Sequence, residues 1–208
     1  MTGVCFSRQE LRDFAAAWLA LTVAFALFFN RRLLPELLAG FLRPEALARI
    51  AVESLVVVGT GFLLHELAHK VVAVRFNQVA EFRADYSMLG LAVVSALAGF
   101  LFAAPGAVYH RGRITPRENG LIALAGPAVN ALLAVGFLGV SALAGDSLAA
   151  LGELGFIVNL LLAGFNMLPV GPLDGRTVLD WSLPVFAVVF ALTAGAAAVV
   201  LLGPLLPV

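Results

Sequence analysis

Apolar residues fill most of the chain in long runs, separated by short polar or Pro/Gly-broken stretches, and six of those runs read as membrane spans. A spanning helix needs about 20 mainly apolar residues. The runs cover residues 14–29, 51–74, 86–109, 116–144, 148–168 and 183–202. Between the first two, Arg31, Arg32, Arg43 and Arg49 alternate with Leu33, Leu34, Leu37, Leu38 and Phe41. That mixture fits an amphipathic stretch lying in the membrane interface. Residues 75–85 turn polar. Within them 79–82 reads most simply as connecting loop; as a strand with an exposed edge it would pair with an extended peptide. Thr115-Pro116-Arg117-Glu118 carries a helix start, with Thr as cap, Pro at the first helical position and Glu three residues after the cap. The pattern predicts an all-α membrane protein, about six transmembrane helices in one bundle, forming a single domain over 1–208.

Composition agrees. The chain is 62% hydrophobic and 12% charged, against about 25% charged in a soluble domain, and mean hydropathy is +1.01. Net charge is zero, so nucleic acid is not an expected partner; the lipid bilayer is. Cys5, the one cysteine, excludes an intrachain disulfide and a CxxC motif. Arg8 and Arg12 ahead of the first run resemble a signal peptide's basic region. The run ends in Asn30-Arg31-Arg32 with further spans beyond, which favours an uncleaved anchor. Eight basic residues fall on one side of a six-span bundle and five on the other, a small margin for an outside N-terminus. Oligomeric state is not legible.

One apolar run carries chemistry. Gly61-Phe-Leu-Leu-His65-Glu66-Leu-Ala-His69-Lys70 places two histidines four residues apart, on one face of a helix. That spacing lets two imidazoles hold one zinc ion while Glu66 serves as general base toward water. Such groups are unfavourable in hydrocarbon unless paired, metal-bound or facing a wet cavity. A catalytic zinc usually takes three protein ligands. Asp174 is the foremost candidate for the third, because Pro169-Val-Gly171-Pro172-Leu-Asp174-Gly175 cannot be regular helix, and irregular backbone at membrane depth lines wet or protein-covered cavities. Glu153, Asp180 and Asp85 are the alternatives. His65 lies roughly 21 Å from the residue 51 end of its run and about 14 Å from the residue 74 end, at about 1.5 Å per residue. Zinc polarises a carbonyl and lowers the pKa of water; Glu66 moves the proton to the leaving amine. An asparagine amide suits the developing oxyanion, and Asn166 and Asn130 are the candidates. For both, and for Asn159, an interhelical hydrogen bond is the competing role. His110, beside Arg111 at a span end, reads as an interfacial residue.

Together these residues resemble the site-2 protease family of intramembrane zinc metalloproteases. His65-Glu66-Leu-Ala-His69 looks like that family's HExxH, and Asn166-Met-Leu-Pro169-Val-Gly-Pro172-Leu-Asp174-Gly175 looks like its second motif. Gly126-Pro127-Ala-Val-Asn130 is similar to an element found between them. The match covers roughly residues 51–180. The resemblance implies one zinc per chain on His65, His69 and Asp174, Glu66 as catalytic base, and Asn166 with Asn130 handling substrate or oxyanion. It also implies membrane-spanning proteins as substrates and the cell membrane of a prokaryote as location. Gly171 stands where many members carry Asn or a bulkier residue, and the chain shows no PDZ or CBS domain, which leaves substrate choice open. Two other classes compete. An ion transporter would show repeated halves, and none is seen. An inactive metal-binding scaffold would have no use for Glu66.

Overall fold

A computed structural model describes residues 3–101 and 105–202. In chain order its elements are α1 (Arg8–Phe29), α2 (Leu33–Leu38), α3 (Pro44–Val58), a π-helical turn (Gly59–Leu63), α4 (Leu64–Arg75), β1 (Val79–Ala84), α5 (Tyr86–Leu97), β2 (Gly106–Arg111), α6 (Pro116–Leu143), α7 (Asp146–Asn166), α8 (Asp174–Trp181), α9 (Leu183–Phe190), a second π-helical turn (Ala191–Gly195) and α10 (Ala196–Leu202). Among the described residues, five helices are long and apolar enough to cross a membrane: Arg8–Phe29, Pro44–Arg75, Pro116–Leu143, Leu148–Asn166 and Leu183–Leu202. The chain folds as two compact units, one of residues 5–63 and 81–109, the other of 64–80 and 110–202 with residues 3–4.

In the first unit, Ser7 caps α1 by accepting from the Glu10 N–H at 3.0 Å, which satisfies an otherwise orphan donor of the first turn. Phe14 of α1 stacks on Phe82 of β1 with centroids 4.4 Å apart, and Phe62 meets the Phe82 edge at 5.6 Å. The Trp18 indole N–H donates to the Leu55 carbonyl at 2.9 Å, joining α1 to α3. Asp13, almost wholly buried, accepts from Tyr86 Oη at 2.8 Å and lies 3.6 Å from Arg83 Nη1.

Three expectations change here. Six expected spans become five among the described residues, and the run at 86–109 is the one that fails. Its helix stops at Leu97, where Gly99 takes φ 86° and Phe100 N–H bonds back to the Ser95 carbonyl at 3.1 Å. That is a glycine-terminated helix end. The remainder of the run includes β2, which pairs with β1 in a two-stranded sheet, so the fold is mostly helical rather than all-α; residues 102–104 lie outside the described set. Second, the helix expected from residue 51 begins at Pro44, with Pro in the first turn where its missing N–H is harmless. Only α2 is a separate short helix in the arginine-rich stretch. Third, residues 79–84 form a strand rather than a loop. At Phe82 its edge is occupied, because the Phe82 N–H donates to the fully buried Glu10 carboxylate at 3.0 Å.

The second unit carries the histidines. The α6 start is the capping box read from the sequence: the Thr115 side chain accepts from Glu118 N–H, and Glu118 returns a bond to Thr115 N–H at 2.8 Å. α6 packs on α4, α7 and α8. Ala123 of α6, Met167 and Val178 of α8 form a buried apolar cluster backed by Trp181 and Phe186. That cluster seats α8, the helix that begins with Asp174.

Candidate metal centre

His65 and His69 occupy successive turns of α4 and present their Nε2 atoms to the same point, 3.0 Å apart. Asp174, the first residue of α8, brings Oδ2 to 3.3 Å from His65 Nε2 and 3.4 Å from His69 Nε2. A tetrahedral ion with bonds of about 2.0–2.1 Å holds its donors about 3.3 Å apart, so the three atoms have the separations such an ion requires. Two imidazoles and one carboxylate are also the donor types of a hydrolytic zinc site. Among the described residues these three form the group able to hold a metal.

Local sequence explains the placement of Asp174. After α7 the chain turns through Pro169, Gly171 at φ 55° and Pro172, and regular helix resumes only at Asp174. Gly175 allows this: a Cβ there would lie 2.1 Å from the Met167 carbonyl oxygen. The Pro-x-Asp-Gly pattern therefore has a steric reason for its glycine as well as a chemical reason for its aspartate. Burial alone would push the Asp174 carboxyl up, yet the adjacent His69 and His65 hold it at about 2. An anionic oxygen donor is thus present across the physiological range. Asp174→Ala removes it, and bound zinc measured by atomic absorption is expected to fall at least tenfold; unchanged stoichiometry would place the third ligand elsewhere.

Both outer imidazole nitrogens are engaged. His65 Nδ1 lies 2.5 Å from Asn130 Oδ1, and His69 Nδ1 lies 2.7 Å from the Ile122 carbonyl oxygen. A carbonyl oxygen only accepts, so each Nδ1 carries the hydrogen and each Nε2 is left to a metal or a competing proton. Asn130 in turn donates to Asn159 Oδ1 at 2.9 Å. Glu66 is 7% exposed, and its Oε2 is buried with no hydrogen-bond partner. Gly126 completes the cradle, since a Cβ there would lie 2.4 Å from His69 Nε2 and 2.5 Å from His65 Nε2. An unpartnered carboxylate oxygen and a cleared space over converging donors are what a resident metal and a water would need, and the residues fit zinc.

The structure thus brings His65, His69, Asp174 and Asn130 into one hydrogen-bonded and donor-sharing cluster, with Glu66 between the two histidines on α4. Asn166 ends α7 and donates one amide hydrogen to the Leu162 carbonyl at 3.0 Å. The alternatives for the third ligand are used otherwise. Glu153 is exposed on α7, Asp180 pairs with Arg176 at 3.1 Å, and Asp85 caps α5. His110 is half-buried on β2, and its imidazole is held below the ordinary histidine range first by burial and then by the charge of His69. Sequence reasoning missed the Ile122 carbonyl. No side-chain signal marks it, because it is a backbone group.

A protein of Methanocaldococcus jannaschii, named as a putative zinc metalloprotease, is 39% identical to this chain over 188 residues, covering 88% of this chain and 90% of that protein. No protein-family model matches, and no solved structure matches. The relative's name and the donor set agree on zinc as the cofactor.

Proposed function

We propose that this chain, which belongs to the zinc metalloprotease family of its archaeal relative, hydrolyses peptide bonds within or close to the transmembrane segments of other membrane proteins. One observation carries the reading: the two histidines and Glu66 lie on Pro44–Arg75, a helix long and apolar enough to cross a membrane. His65 is ten residues, about 15 Å, from the Arg75 end. Chemistry at that depth acts on segments that are themselves in the bilayer, which is the activity of the site-2 protease type.

Zinc supplies polarisation of the scissile carbonyl and a water of lowered pKa. The chain does the rest. Glu66 Oε2, free of any other bond, accepts the proton of the attacking water and returns it to the leaving amine nitrogen. Asn166 has two amide hydrogens and uses one on Leu162; the other is available to the carbonyl oxygen as negative charge develops there. Asn130 is assigned to His65 rather than to the oxyanion, because its oxygen accepts from the ring and its nitrogen donates to Asn159.

A peptide bond inside a stable helix is shielded by its own hydrogen bonds, so the substrate must unwind where it is cut. The test is cleavage of single-span substrates by the zinc-loaded protein in liposomes, with and without a Gly-Pro pair near the middle of the span. Cleavage that stops with a zinc chelator, resumes on adding zinc and rises with the helix breaker is the expected result. Cleavage of soluble peptides alone, with spans untouched, would overturn the intramembrane reading.

A further inference from the structure

In the first compact unit, the end of α1, the start of α2 and the end of α5 enclose a cavity of about 360 Å³. Its size is within the ~300–1,000 Å³ of ligand sites, which are mostly apolar with a few placed polar groups. Leu27, Leu34 and Leu97 give it apolar wall, and Asn30 and Arg31 bring polar groups to it. Arg31 is held in place, because its Nη2 donates to the Gly99 carbonyl at 3.4 Å. The contact is close enough that a Cβ at Gly99 would lie 3.9 Å from the guanidinium carbon. One of five N–H donors is used in this way. Among the described residues no carboxylate pairs with Arg31, and Glu36, the nearest acidic residue in sequence, does not line the cavity. An uncompensated, positioned cation in an apolar cavity calls for an anion.

The surroundings indicate which anion. α1 is long and apolar enough to cross a membrane, so its end would lie near the lipid headgroups. Beside the cavity, α2 leaves Leu34, Leu37 and Leu38 exposed by 37, 48 and 79%, and Phe41 follows at 81%. Large apolar side chains left open together mark a membrane or partner surface, and Arg32 adds a second exposed cation. A free phosphate would use the guanidinium and leave the apolar wall uncovered, whereas a phospholipid covers both. We propose that this cavity binds one anionic phospholipid, with its phosphate on Arg31 and the start of an acyl chain against Leu27, Leu34 and Leu97. The planar guanidinium matches phosphate oxygens in pairs, and basic pockets between membrane helices take up such headgroups. The site is independent of the metal centre and of the protease reading.

The experiment counts lipid bound to the full chain by native mass spectrometry, after purification in detergent with equal amounts of phosphatidylglycerol and phosphatidylcholine. The native protein is expected to retain one phosphatidylglycerol, preferred at least about fivefold, the weight of one basic residue at an anionic headgroup. Arg31→Gln is expected to abolish the preference. Arg49→Gln, which changes an exposed arginine outside the cavity, should keep it. Ala98→Phe leaves Arg31 in place and puts a ring into the cavity that Ala98 lines; it should lose the lipid as Arg31→Gln does. Helical circular dichroism confirms that each variant is folded. No preference in the native protein, or equal losses in Arg31→Gln and Arg49→Gln, would overturn the site, the second by reducing it to general surface charge. Full binding in Ala98→Phe would place the headgroup outside the cavity and overturn it as well. Displacement of the lipid by millimolar inorganic phosphate, but not by chloride at equal ionic strength, would make this a site for soluble phosphate and overturn the lipid assignment.

Discussion

Glu66→Gln is expected to reduce peptide hydrolysis by a factor on the order of 10²–10⁴, the range general acid–base catalysis contributes, while zinc remains bound. The residue lies between His65 and His69 in the α4 sequence and is 7% exposed, and its Oε2 makes no hydrogen bond. A carboxylate serving only the fold would have found a donor, because an unpaired buried polar atom is destabilising by roughly 1–3 kcal/mol. Gln has nearly the same shape and keeps the packing, but its amide cannot accept and return a proton. Glu66 is also absent from the donor group of His65, His69 and Asp174, so the metal should be held as before. Initial rates and zinc content measured on the same preparation decide the matter. More than a tenth of the native rate would remove Glu66 from the proton path, and loss of zinc would make it a ligand. An inactive scaffold is ruled in or out by the same comparison, since it would show no native rate to lose.

The candidate donor cluster of His65, His69 and Asp174 was legible in sequence because each member leaves a local signature that needs no tertiary knowledge. Four-residue spacing puts His65 and His69 on one helix face, and a carboxylate inside a Pro/Gly-broken apolar segment has few other uses. The groups that hold the two imidazoles were legible only in part. Asn130 drew attention as a polar residue beside Gly126-Pro127, but spacing could not say whether its amide faces substrate, a neighbouring helix or a ligand. The Ile122 carbonyl has no side-chain identity at all, and any residue there offers the same oxygen. For the spans, hydropathy alone could not separate a helix from a helix followed by a strand: residues 86–109 are apolar throughout, and the break depends on Gly99 adopting φ 86°. The strand β1 was obscured for the opposite reason, since its polar residues Glu81 and Arg83, partly exposed and paired with each other at 2.8 Å, read as a loop.

Gly126→Ala is expected to lower zinc affinity at least 100-fold, beyond the usual effect of an outer-sphere change, while leaving α6 intact. The two consequences have separate causes. A methyl at residue 126 would lie 2.4 Å from His69 Nε2 and 2.5 Å from His65 Cε1 and Nε2, inside van der Waals contact with both donors and in the space they converge on. The imidazoles would have to turn away, breaking with Asn130 and Ile122. The helix itself gains from the change, because Ala is favoured over Gly in a helix interior by up to about 1 kcal/mol. Gly136→Ala supplies the comparison on the same helix, since nothing lies within 4 Å of a Cβ at that position; it should share the helix gain and keep its zinc. Zinc content by atomic absorption, read beside the helical circular dichroism of both variants, separates the outcomes. Full zinc in Gly126→Ala would mean that the donors converge elsewhere in solution, and equal zinc loss in both variants would mean that α6, rather than the cleared space at residue 126, is what the metal depends on.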